Sequence, residues 1–194
     1  MKKVQLIAMM LFMMVTTISF GQLHIDSLYD NKDELLIYSV VEEFDSLSQD
    51  VINTKVKNWA GTKFVNMKEV LVSETQEQLV FNYITESFFI RSLGMNTYKS
   101  WYIRMVVQIK DNKIKISLYD DGNAFWVGSY SGGVSVPSTP ARKYRFSDYF
   151  GKKGTCMKMY NGGLEDVRKS CINTAQSLIK SIKSSTTITT EGDW

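Results

Sequence analysis

From Leu35 to Phe44 β-branched and aromatic residues crowd together, the composition of a strand. Ser46-Leu-Ser-Gln49 follows with capping-box spacing, in which the Ser46 hydroxyl takes the amide three residues on and Gln49 reaches back. A helix is expected next, because Ile52, Val56, Trp59 and Ala60 fall at i, i+4, i+7 and i+8 as one apolar stripe, and Gly61 is a natural stop. Met67–Ser73 and Gln78–Ile90 read as two strands joined by the polar turn Glu74-Thr-Gln-Glu77.

The sharpest alternation comes next. Ile103, Met105, Val107 and Ile109 interleave with Tyr102, Arg104, Val106, Gln108 and Lys110, and beyond Asp111-Asn112 the residues Ile114, Ile116 and Leu118 alternate again. A two-residue loop pairs Ile109 with Ile114, Val107 with Ile116 and Met105 with Leu118, so every apolar partner falls on one face. A slip of one residue would destroy that match. The opposite face then collects Arg104, Gln108, Lys110, Lys113, Lys115 and Ser117, with Tyr102 and Tyr119 near its far end.

Leu164, Val167, Cys171, Ile172, Ala175, Leu178, Ile179 and Ile182 recur at helical spacing, with Glu165 and Asp166 placed for the positive end of the helix dipole. Between hairpin and helix, Asp120–Gly163 holds eight of the 12 glycines, both prolines and eight of the 24 aromatic residues, and it reads as a long irregular insertion. Its rings either pack over a sheet edge or over the face the helices leave open, or they form an exposed binding surface in which Trp126, Tyr130, Tyr144 and Tyr149 are the candidates. The expected fold is α+β: a curved antiparallel sheet of about five strands with two helices on one face, in the order strand, helix, four strands, helix.

The N-terminus changes how the rest is read. Met1-Lys-Lys3 precedes an apolar run, Val4–Val15, and Ser19 and Gly21 stand at the small-x-small positions before Gln22, so residues 1–21 read as a cleaved export signal. That run is short of the ~20 residues needed to cross a bilayer, and no membrane span is expected after cleavage. Residues 22–34 make a polar leader, 35–183 a single domain and 184–194 a Ser/Thr-rich tail expected to be disordered. Removing the signal leaves 21 basic against 20 acidic residues, and a net charge of +1 gives no basic field to attract nucleic acid. Export places the protein in the periplasm, on the outer-membrane surface or outside the cell, where Cys156 and Cys171 either pair across a loop worth roughly 3 kcal/mol or stay free thiols.

A strand ending in a small polar turn, a helix closing with Trp59, and a strand series with the hairpin Gln108-Ile-Lys-Asp-Asn-Lys-Ile-Lys-Ile116 resemble a family of unknown function from secreted proteins of gut-type Gram-negative bacteria. That family is described as having a TATA-binding-protein-like fold. The likeness spans about Leu35–Asp121 and implies a curved antiparallel sheet with helices on one face, and no particular activity.

Catalytic chemistry is thinly represented. The one histidine, His24, lies in the leader, far from any rigid partner. Gly128-Ser-Tyr-Ser-Gly132 has Tyr130 where a nucleophile elbow has serine, and Gly151-Lys-Lys-Gly154-Thr155 lacks phosphate-loop spacing. Asp120 and Asp121 are the carboxylates on which a hydrolase would rest, although Asp120-Asp-Gly-Asn123 also reads as a strand-ending turn or a weak calcium loop. Glu42 and Glu43 alternate along a strand and so face opposite sides. One His and two separated Cys supply no zinc site, and no cofactor is expected. The expectation is a non-enzymatic binding module of the cell envelope for a protein or glycan partner; the alternative is a carboxylate-based hydrolase using Asp120 or Asp121.

Overall fold

A computed structural model describes residues 35–85, 88–92, 95–131, 134–137, 146–149, 152–153 and 155–184. The segments read as export signal and leader, 1–34, lie outside them, as do Tyr144 and 185–194 of the expected tail, whose first residue, Ser184, instead ends the last helix. One antiparallel sheet is built from β1 (Leu36–Glu43), β2 (Leu71–Glu74), β3 (Gln78–Ile84), β4 (Phe88–Ser92), β5 (Met95–Lys110), β6 (Lys113–Ser131) and β7 (Val134–Pro137). Five strands lie side by side in the order β1-β6-β5-β3-β2, while β4 pairs with β5 and β7 with β6. Helices α1 (Gln49–Lys63) and α3 (Lys158–Ser184) carry the rest of the core, and α2 (Met67–Val70) is a single turn.

The hairpin register is the one the alternation predicts: Ile109 faces Ile114, Val107 faces Ile116 and Met105 faces Leu118. All six side chains are buried, and they sit with Leu79, Phe81 and Ile103 beneath the helices. Asn112 makes the turn with a φ of 60°, a left-handed conformation that asparagine tolerates. Its amide donates to Leu47 O and its Oδ1 accepts from Leu47 N, both at 2.8 Å, so the hairpin tip clasps the loop entering α1.

Helix α1 buries Ile52, Val56, Trp59 and Ala60, the stripe expected of it. Its cap is Ser48, whose Oγ accepts from Val51 N at 3.4 Å, and not Ser46, which takes a φ of 55° in the preceding turn. The Gln49 amide donates instead to Asp111 Oδ1 at 2.8 Å. Gly61 does not end the helix, which continues to Lys63 and closes with Phe64 N donating to Ala60 O. Trp59 Nε1 donates to Ser177 Oγ at 3.2 Å and ties α1 to α3.

Four further expectations are corrected. Met67–Ser73 divides into α2 and the short β2. Gln78–Ile90 is two strands, β3 along the second half of β5 and β4 along its first half. The stretch after Asp120 is not irregular at its start: β6 runs on to Ser131, and the string Asp121-Gly-Asn123 forms a bulge opposite Tyr102 between the pairs Ile103–Asp120 and Trp101–Ala124. Finally, α3 begins at Lys158, so Glu165 and Asp166 lie beyond its first turn, where the dipole no longer accounts for them.

Candidate binding face of the sheet

Each strand of a sheet alternates its side chains between two faces, and here the faces have different fates. On the inner face, under α1 and α3, Trp101, Ile103, Met105, Phe81, Leu118 and their neighbours are sealed from water. On the outer face, none of the described helices packs. There the register aligns Val41, Lys115, Gln108 and Gln78 in one rung across four strands, and Ser39, Ser117, Val106 and Val80 in the next. The Ser39 and Ser117 hydroxyls meet at 3.2 Å. Toward the hairpin tip, Lys110, Lys113 and Lys115 border a depression of about 1000 Å³ with Gln78 and Gln108.

Farther from the tip the chemistry becomes aromatic. Asn82, Arg104 and Tyr119 form the next rung, and Ile84 pairs with Tyr102 beyond it. Arg104 Nη2 donates to Asp121 Oδ1 at 2.7 Å, a partly shielded charge-assisted bond that holds the guanidinium across the sheet. Tyr102 and Tyr119 are half-buried. Ile84 is 53% exposed beside them, and Asn82 Oδ1 is buried with no hydrogen bond among the described residues. Two phenol rings, a forked cation, a carboxylate and an unengaged amide oxygen therefore share one face that no described helix covers.

The inner face holds a second polar group of residues, sealed under α3. Tyr83, Thr85, Asp120, Cys171 and Thr174 are all buried. The Tyr83 hydroxyl lies near the Thr174 hydroxyl and the Cys171 thiol without a well-formed hydrogen bond. Burial first, and then the neighbouring Cys171, hold the Tyr83 phenol well above its ordinary 10.0. Burial also drives the Cys171 thiol up to about 12, with the Asp120 charge adding to it, and lifts Cys156 to about 11, helped by Glu165. Groups held this firmly in their neutral form at ordinary pH are poor nucleophiles.

Several candidates from the sequence are redistributed. Tyr149 is no surface residue: its ring is 3% exposed and makes edge contacts with Trp101 at 5.7 Å and Tyr160 at 4.6 Å. It belongs to the core because the 3-10 turn Phe146–Tyr149 delivers it there, and Met157 N donates to its carbonyl at 2.9 Å. Trp126 and Tyr130 lie on β6, opposite Lys99 and Asn96. Cys156 and Cys171 are two free buried thiols and form no disulfide. Asp120 and Asp121 do not make a catalytic pair: Asp120 is buried under α3, whereas Asp121 is bonded to Arg104 on the other face. Glu42 and Glu43 also separate, Glu42 pairing with Lys183 of α3 and Glu43 lying 3.7 Å from Lys113. Among the described residues no group of three or more His, Cys, Asp or Glu converges on a metal position, and no helix is long and apolar enough to cross a membrane. The sequence reading placed Tyr102, Arg104 and Tyr119 on one face but gave them no role. It missed Asn82 and Ile84, whose signal was their alternation with the buried Leu79, Phe81 and Tyr83.

No family model matches the sequence, and no curated protein matches it. Two solved structures are similar in fold. A TBP-like protein from Parabacteroides distasonis superposes with a TM-score of 0.58 at 12% identity, over 80% of this chain and 97% of that one. A DUF4468 family protein from Bacteroides ovatus superposes with a TM-score of 0.58 at 9% identity, over 82% of this chain and 92% of that one.

Proposed function

We propose that this chain with a TBP-like fold is an exported, non-enzymatic binding module of the cell envelope, and that it holds a protein or glycan partner on the outer face of its sheet. The observation that carries the reading is the Tyr102, Arg104, Tyr119 and Asp121 patch on a face that none of the described helices covers. Tyrosine and arginine are enriched among the residues that anchor interfaces, because each combines a broad contact area with directed hydrogen bonding. Nucleic acid is a poor fit: Arg104 is already engaged by Asp121, Lys113 lies beside Glu43, and the net charge without the signal is +1.

The expected site moves from the aromatic stretch after Asp120 to the rungs before it. The hydrolase alternative loses its carboxylate pair to the two sides of the sheet. A glycan array and a pull-down with envelope extract, each run with the parent chain and with a Tyr102→Ala/Tyr119→Ala double variant, test the proposal. The parent should retain a discrete set of ligands that the variant loses while its circular dichroism is unchanged. Identical profiles for the two proteins would remove the outer face from consideration.

A further inference from the structure

The first strand is an edge of the sheet, and among the described residues β6 is its one strand partner. Which of its backbone groups are free follows from the ladder. Phe44 N donates to Asn112 O at 2.7 Å, and the register continues through Glu43–Lys113 and Glu42–Ile114. Hydrogen-bonded pairs alternate in an antiparallel ladder, so Glu42, Val40 and Tyr38 bond to β6 while Ser39, Val41 and Glu43 turn N–H and C=O toward the open edge. Val41 is 56% exposed there. An edge that offers both donors and acceptors is a template for another strand.

Beside this edge runs the last part of α3, and between them lies a groove of about 570 Å³. Tyr38 and Val40 line it from the strand and Ile179 from the helix, three apolar side chains that are only partly buried. Its charged rim is uneven. Lys183 is matched by Glu42, but Lys180 has no ion-pair partner among the described residues, so the rim carries one uncompensated positive charge. A free strand edge flanked by a helix and an apolar groove is the arrangement that peptide-recognition domains use for strand addition.

We infer that the β1–α3 groove is a strand-addition site for an extended segment of a partner polypeptide with apolar residues at alternate positions and one acidic side chain. The backbone of that segment bonds to Ser39, Val41 and Glu43, its apolar side chains lie against Tyr38, Val40 and Ile179, and its carboxylate meets Lys180. The site uses the edge backbone and the inner-face side chains of β1, and it is separate from the Tyr102, Arg104 and Tyr119 patch and does not depend on it.

The probe is a phage-displayed library of random decapeptides selected against the chain, with the enriched peptides then synthesised and measured by fluorescence polarisation. Enrichment of alternating apolar positions with an Asp or Glu is expected. Val41→Pro deletes an edge donor that takes no part in the β6 ladder, and it should weaken binding about tenfold or more while the circular dichroism spectrum stays unchanged. Lys180→Glu, on the helix surface, should weaken the same peptides and leave stability alone. The inference is overturned if no pattern is enriched or if both variants bind as the parent does. It is equally overturned if the edge proves to be taken by a second copy, seen as self-association lost in Val41→Pro, or by residues 185–194, seen as peptide binding that appears only after their deletion.

Discussion

Replacing Tyr149 by alanine separates two uses of an aromatic residue, because a surface ring and a core ring differ in cost by several kcal/mol. Tyr149 is 3% exposed, and its ring lies edge-on to Trp101 and to Tyr160. Truncating a buried aromatic to alanine costs about 3–5 kcal/mol, from lost transfer energy and the cavity left behind. The two edge contacts, each worth about 0.5–1.5 kcal/mol beyond burial, place this site toward the upper part of that range. With a urea m-value of about 2 kcal/mol/M, the midpoint should fall by about 2–2.5 M. The assay is equilibrium urea denaturation followed by far-UV circular dichroism, with Lys152→Ala at an exposed position as the control expected to stay within about 0.5 kcal/mol. A Tyr149→Ala midpoint no different from that control would refute the core assignment and restore Tyr149 to the surface.

The free thiols predict alkaline behaviour with a definite sign. A pKa raised on folding means that the unfolded chain loses its proton first, so stability should be full below pH 9 and fall as pH rises, through about 11 for Cys156 and about 12 for Cys171. Cys171→Ala should flatten that decline in denaturation curves taken between pH 8 and 11, and an unchanged slope would exclude Cys171 as its source. Both thiols should resist iodoacetamide at pH 8 in the native chain and react once urea is added, with no mobility difference between reduced and non-reduced gels. Gly162 lies inside α3 with open space where a Cβ would go, so Gly162→Ala should raise stability by about 0.5–1 kcal/mol; a loss would mean that the helix does not extend through this turn.

How far the chain could be read depended on the range of the interactions involved. The hairpin was legible because its apolar residues alternate strictly on both sides of a two-residue turn, and one register alone buries all of them. The stripe on α1 and the long stripe on α3 were legible for the same local reason, a helical period with few interruptions. Caps and ends were less so. Ser46 and Ser48 both suit an N-cap, and the choice between them is made by Asn112 and Asp111 from the hairpin tip, more than 60 residues away in sequence.

The candidate face was half visible. Alternation assigns Tyr102, Arg104 and Tyr119 to one side of the hairpin, but it does not say which strands flank it, and Asn82 and Ile84 join only because β3 pairs with β5. The aromatic stretch misled for a related reason. Glycine and aromatic residues signal loop and surface when taken locally, yet Asp120–Ser131 continues a strand because a bulge absorbs three residues opposite one, and Tyr149 turns inward because Trp101 and Tyr160 offer it a place.

By itself the sequence determined the fold class, the buried face of the hairpin and the two amphipathic helices, since periodic burial is a nearest-neighbour property of the chain. Tertiary structure alone decided that Asp120 and Asp121 part company, that the two cysteines stay single, that Tyr149 is core, and that β1 keeps a free edge beside a groove. Each of these depends on which distant segment arrives at a given side chain, and hydrophobic periodicity carries no record of that meeting.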